Sequence, residues 1–228
     1  MTELAGNIQI VREKVRKAAI RAGTDPNAIC LVAVSKTAGP EEIGVACQNG
    51  ITDFGENRVQ DLLRKQSEYP QAKWHMIGHL QTNKVKDIVG RVCLIHSLDR
   101  WELAEYIERR AEREGVVVPA LLQVNVSGEK SKGGVTPSEV PDFLTAIDRF
   151  NHLQIQGLMT MAPEVDDPEE TRPVFKELRK IFDITKKQNY PHVEMCYLSM
   201  GMTQDFEVAI EEGANMVRVG RALFGPRL

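Results

Sequence analysis

Cys30-Leu31-Val32-Ala33-Val34-Ser35-Lys36 is a short apolar run that ends on a hydroxyl and a lysine. It is too short for a helix and carries no polar alternation, so it reads as a parallel strand buried on both faces. Comparable runs recur at 51–54, 73–77, 92–96, 119–126, 153–159, 193–198 and 215–219. Each is followed by polar or Gly-rich punctuation and then by a helical pattern. Leu4, Ile8, Val11, Val15, Ala18 and Ala22 predict a leading helix over 3–22 that Gly23 ends. Gly39-Pro40-Glu41-Glu42 opens the next, with proline where a first-turn amide needs no partner, and Gly50 stops it. Further helices are expected near 57–68, 80–89, 100–114, 138–149, 171–188 and 203–212. Asp99 is the expected cap of the 100–114 helix, and Thr136 with Glu139 forms a capping box around Pro137. Pro173 would cost about 3 kcal/mol in a helix interior, so the 171–188 helix starts just before it.

Eight strands alternating with helices, after one leading helix, predict a closed α/β barrel of the (β/α)8 TIM type. An open doubly wound sheet is the alternative, because uninterrupted apolar runs establish α/β without deciding closure. The 228 residues fit a single domain, 1–228, with no composition shift or linker. The 29 basic and 32 acidic side chains leave a formal charge of -3, which gives no footprint for nucleic acid or an anionic membrane. No apolar run approaches about 18 residues and no signal pattern opens the chain, so a cytoplasmic protein is expected. The four cysteines lack metal-ligand spacing, and no histidine spacing points to zinc. Cys30, Cys93 and Cys196 read as small hydrophobes inside strands, and Cys47 as the buried side of a helix.

In a barrel the working face is the carboxyl end of the strands. The residues collected there are Ser35 and Lys36, then Gly55-Glu56-Asn57-Arg58, Gly78-His79 and His96-Ser97. Asn125, Thr160, Ser199-Met200-Gly201-Met202-Thr203 and Gly220-Arg221 complete the set. The last two segments fit a phosphate, since Gly-rich turns leading into helices expose unpaired amides. An ordinary capped loop is the bland alternative. Strand parity sets Val34 and Lys36 on one side and Ser35 on the other, while Arg218 and Gly220 share a side. An inward Lys36 near Arg218 would sit in a desolvated mouth suited to Schiff-base chemistry. Alternatively, Lys36 snorkels to solvent or pairs with Glu56. Met159, Met161, Met200 and Met202 either pack around a flat ligand or fill the core. His75 reads as a strand residue and His79 as the better functional candidate.

Several stretches in one order resemble the pyridoxal phosphate homeostasis protein family. They are 31–37 (LVAVSKT), 54–57 (FGEN), 74–84 (WHMIGHLQTNK), 123–125 with the loop after it, 157–161 (GLMTM), 198–203 (LSMGMT) and 217–220 (VRVG). The resemblance spans nearly the whole chain. It implies a barrel like the N-terminal barrel of alanine racemase, with pyridoxal 5'-phosphate (PLP) bound as an aldimine to Lys36. It also implies phosphate contacts from Ser199, Met200, Gly201, Thr203, Gly220 and Arg221, the last through its backbone amide, with Arg218 facing the pyridine nitrogen. Asn57 and His79 would be pocket residues.

A guanidinium opposite the ring nitrogen disfavours its protonation and weakens the cofactor as an electron sink. With no second domain expected after Leu228, the resemblance implies a monomeric PLP carrier that passes cofactor to apo PLP-dependent enzymes and balances amino and keto acids. The alternatives are a PLP-dependent racemase or decarboxylase and, outside PLP chemistry, a barrel aldolase using Lys36 toward a phosphorylated sugar.

Overall fold

The computed structural model describes residues 2–129 and 131–225. Helix α1 (Thr2–Arg21) leads into β1 (Cys30–Val34), and the chain then alternates through α2 (Pro40–Gln48), β2 (Asp53–Glu56), α3 (Val59–Glu68) and β3 (Lys73–Met76). It continues with α4 (Val85–Ile88), β4 (Leu94–Leu98), α5 (Trp101–Glu114), β5 (Val118–Gln123), α6 (Val140–Ile147) and β6 (Leu153–Met159). The last elements are α7 (Arg172–Lys186), β7 (Val193–Ser199), α8 (Phe206–Glu211), β8 (Met216–Val219) and α9 (Arg221–Phe224). The strands pair in sequence order and β8 returns to β1, so the sheet is a closed barrel rather than an open one.

Two apolar layers result from strand parity. Val32, Leu94, Leu121, Met159 and Met216 meet inside the barrel. Ala33, Phe54, Trp74, Ile95 and Val217 point outward into the larger layer beneath the helices, where Phe54 and Trp74 stack at 5.4 Å. Burying each such large side chain is worth about 1.5–3 kcal/mol, so the helix layer carries most of the cohesion. α1 packs its Ile8, Val11, Val15 and Ala18 face on the molecule and is stitched at its end by Arg21 to Glu211 at 2.6 Å. β1 pairs with β8 in the register Val32 to Arg218. Val34, Lys36, Arg218 and Gly220 therefore project to the same interior side, as parity predicts.

Several expected boundaries shift. β2 runs from Asp53 to Glu56 instead of 51–54, and the 80–89 helix is a 3-10 turn at Thr82–Lys84 followed by one turn of α4. The 203–212 helix shortens to Phe206–Glu211, because Asp205 folds back to accept the Met202 amide at 2.6 Å. Asp99 does not cap α5: Arg100 holds the cap position, and the Asp99 carboxylate receives Arg100 and His79 instead. The Thr136 and Glu139 box forms, and Pro173 lies in the first turn of α7. The thiols also depart from expectation, since Cys93 and Cys196 are exposed and Cys30 and Cys47 only half-buried. Among the described residues no helix is long and apolar enough to cross a membrane.

Candidate functional site

The carboxyl ends of the strands surround a cavity of about 790 Å³. Lys36, Asn57, His79, Thr203, Arg218, Gly220 and Arg221 all line it, together with Val34, Gln123, Met161 and Met202. Ser199, Met200 and Gly201 lie one layer beneath. Ser199 is fully buried and its Oγ accepts from Arg218 Nη1 at 2.6 Å. Met200 is also fully buried, and its amide donates to the Met216 carbonyl at 3.2 Å. The four methionines thus divide, with Met159 and Met200 in the core and Met161 and Met202 facing the cavity.

Gly201 is required for this layering. Its φ is +88°, and a Cβ there would stand 2.6 Å from Ala209 Cβ and 2.8 Å from Phe206 Cα. The tight turn lets the Gly201 carbonyl accept the Arg218 amide at 3.0 Å, tying the β7 loop to β8. Gly220 allows a second close approach, because a Cβ would meet Val34 at 3.2 Å. The amides of Thr203, Gly220 and Arg221 have no hydrogen-bond acceptor among the described residues. Free amides beside a cationic side chain are what a phosphate requires.

Lys36 sits at the rim and is solvent-exposed, so the desolvated mouth expected from the sequence is corrected. Its expected alternative partner is committed elsewhere. Glu56 faces outward, where its Oε1 receives Lys65 Nζ at 2.5 Å and the Ser35 hydroxyl at 2.8 Å. Lys65 Nζ also donates to the Ser35 carbonyl at 2.6 Å, so this buried pair braces the residue that precedes Lys36.

Arg218 is buried and donates to Ser199 Oγ and, at 2.8 Å, to the Thr160 carbonyl. Burial, opposed by the charge of Asp205, brings its pKa down to about 10, which still leaves it a cation near neutrality. Burial also raises the Asp205 carboxyl, while the Met202 amide and Arg218 oppose the rise. His79 is held from behind, its Nδ1 lying 2.9 Å from Asp99 Oδ2. Gln123 Nε2 donates to the Gly133 carbonyl at 2.7 Å, and Asn125 Nδ2 donates to the Glu129 and Lys132 carbonyls at 3.0 Å. These bonds fold the 127–134 loop toward the cavity; Lys130 lies outside the described residues. Among those residues no cluster of three His, Cys, Asp or Glu could hold a metal.

Sequence reasoning collected His96 at the working face but not its depth or its partners. The residue lies inside β4, fully buried, with its Nδ1 3.1 Å from Ser199 Oγ. Counting parity from a strand beginning at Leu94 would have turned it inward with His75.

Residues 3–227 match the family model for the alanine racemase N-terminal domain. The chain is 44% identical over 219 residues to the pyridoxal phosphate homeostasis protein of Aquifex aeolicus, covering 95% of each chain. It is 35% identical to the Escherichia coli protein of the same name, covering all of this chain and 98% of that one. Among solved structures, PipY of Synechococcus elongatus with PLP bound superposes with a TM-score of 0.83 at 33% identity, covering 97% of this chain and 100% of that one. Alanine racemase from Corynebacterium glutamicum gives a TM-score of 0.71 at 14% identity over 95% of this chain and 61% of that one, a likeness of fold alone. By sequence over its whole described length and by its closed barrel, the chain belongs to the pyridoxal phosphate homeostasis protein family, within the alanine racemase N-terminal domain family.

Proposed function

We propose that this chain binds PLP reversibly in the cavity at the carboxyl ends of its strands and serves PLP homeostasis as a carrier. One observation carries the reading: a lysine amine, a buried guanidinium and three unengaged amides share one cavity, those of Lys36, Arg218, Thr203, Gly220 and Arg221. The bound form of PipY supports the same ligand. PLP brings an aldehyde for an amine and a phosphate for the amides. Lys36 is the amine, free at the rim because Glu56 is already paired.

Thr203, Gly220 and Arg221 hold the phosphate, and Ser199, Met200 and Gly201 shape the loop beneath it. Arg218, fixed by Ser199 and Thr160, faces the pyridine nitrogen and disfavours its protonation, which suits holding over rapid turnover. Asn57 and His79 border the ring. The carrier acts as a monomer in the cytoplasm and delivers PLP to apo-enzymes, thereby influencing amino-acid and keto-acid pools.

The test is to incubate the purified chain with PLP, reduce it with borohydride and map the adduct by mass spectrometry. Modification at Lys36 is expected, and a colourless, unmodified protein would overturn the reading. Lys36→Ala should lose covalent attachment yet retain PLP in equilibrium dialysis, because the phosphate contacts do not involve the amine. Rapid exchange of amino-acid α-protons in deuterium oxide, dependent on Lys36, would replace the carrier by an enzyme.

A further inference from the structure

The barrel interior carries a continuous line of polar side chains where branched apolar residues are usual. At the amino-end mouth, Asp53 Oδ1 lies 3.0 Å from His75 Nε2. His75 Nδ1 lies 3.0 Å from His96 Nε2, and His96 Nδ1 lies 3.1 Å from Ser199 Oγ. Arg218 Nη1 completes the line at the PLP cavity, 2.6 Å from the same Oγ. Both termini are chemically fixed. A guanidinium only donates and a carboxylate only accepts. The hydroxyl and the two neutral imidazoles between them must therefore be ordered head to tail. Arg218 donates to Ser199, Ser199 O–H to His96 Nδ1, His96 Nε2–H to His75 Nδ1, and His75 Nε2–H to Asp53.

One added proton reverses that order. With His75 protonated on both nitrogens, its Nδ1–H donates to His96 Nε2, and the proton on His96 moves to Nδ1 and donates to Ser199. Ser199 Oγ then accepts from His96 and Arg218 together, and its own O–H is released from the chain. The balance is one proton taken from solvent at the amino-end mouth: an N–H bond forms at His75 Nδ1, the His96 Nε2–H bond breaks and a His96 Nδ1–H bond forms.

We propose that Asp53, His75 and His96 are positioning residues forming a proton-linked chain through the barrel, by which protonation at the amino-end mouth sets the orientation of Ser199 beneath the PLP site. The surrounding groups do not compete with the chain for that proton. Burial, followed by the charge of Asp53, pushes the half-buried Cys30 thiol up to about 12, and burial raises Tyr197, so neither exchanges a proton near neutrality. Lys73 shares that mouth. His96 is kept neutral first by burial and then by His75 and Arg218, and among the described residues the carboxylate acting on the far end is Asp205. Burial opposes the charge on Asp53, but hydrogen bonds from His75 and Thr52 outweigh it and hold the carboxyl below its usual range.

The experiment uses the full chain with 15N-labelled histidine rings. Two-bond proton–nitrogen spectra at pH 7.5 should show the Nε2–H tautomer for both His75 and His96. On acidification to about pH 5.5, His96 should switch to Nδ1–H. Asp53→Asn should displace this switch in pH. A His96 tautomer that ignores both pH and Asp53→Asn would overturn the chain. The second arm rests on the PLP reading above and compares PLP affinity of the two proteins at both pH values. The affinity ratio between them should change at least 3-fold, on the order expected for modest site coupling, whereas parallel profiles would overturn the link to the cofactor site. Should wild type bind no PLP, the ligand reading fails, while the ring spectra still decide whether the chain reverses.

Discussion

Replacing Lys65 by methionine should destabilise the protein by about 3–5 kcal/mol, the usual consequence of leaving a buried charge without its partner. The side chains of Lys65 and Glu56 are 3% and 1% exposed and meet at 2.5 Å. Glu56 Oε2 already lacks a partner among the described residues, so nothing nearby can take over from the ammonium. At about 2–4 °C per kcal/mol for a chain of this size, the melting temperature should fall by about 6–20 °C. Adding Glu56→Leu removes the stranded charge and should recover all but about 1–2 kcal/mol, the remainder being the Ser35 hydroxyl that loses its acceptor. Urea unfolding followed by circular dichroism measures all three proteins. Because Lys65 also holds the Ser35 carbonyl, Lys65→Met should release PLP faster than wild type under conditions where both remain folded. A loss below about 1 kcal/mol for the single variant, or no recovery in the double, would show that this pair is not the brace described above.

Gly201→Ala should cost at least about 2 kcal/mol from its positive φ and its overlap with Ala209 and Phe206, and PLP titration should show weaker binding. His96 has a folded pKa well below the ordinary 6.5, so the unfolded chain binds the extra proton. Stability is therefore intact above about 6.5 and falls with acidification by about 1.4 kcal/mol per pH unit down toward the folded value. His96→Asn should flatten the profile by that slope in urea midpoints between pH 6.5 and 5, and equal slopes would count against a neutral buried ring. Glu108 accepts the Asn151 and His152 amides at 3.0 and 2.9 Å. Glu108→Ala should lower stability by about 1–3 kcal/mol without altering PLP affinity.

The alternation of elements was legible because each strand is a short apolar run punctuated by Gly, Pro or a cap. That local chemistry does not depend on how distant elements pack. Lys36 and the loops at 199–203 and 220–221 were legible for the same reason, being residues at strand ends. Boundaries failed where side chains override local pattern. Asp205 turns back on Met202 and shortens a helix, and Asp99 leaves its capping position for His79 and Arg100.

By itself the sequence determined the repeated strand and helix units, the side of β1 on which Lys36 projects, and the family that its ordered motifs resemble. Only the tertiary structure decided that β8 closes on β1 and that Glu56 belongs to Lys65, leaving Lys36 free at the rim. It also joined Asp53, His75, His96, Ser199 and Arg218 from five strands into one line. The physical reason is that strand parity follows from a residue's immediate neighbours. Hydrogen bonds across a barrel depend instead on closure and stagger, which bring His96 and Ser199, 103 positions apart, within hydrogen-bond distance.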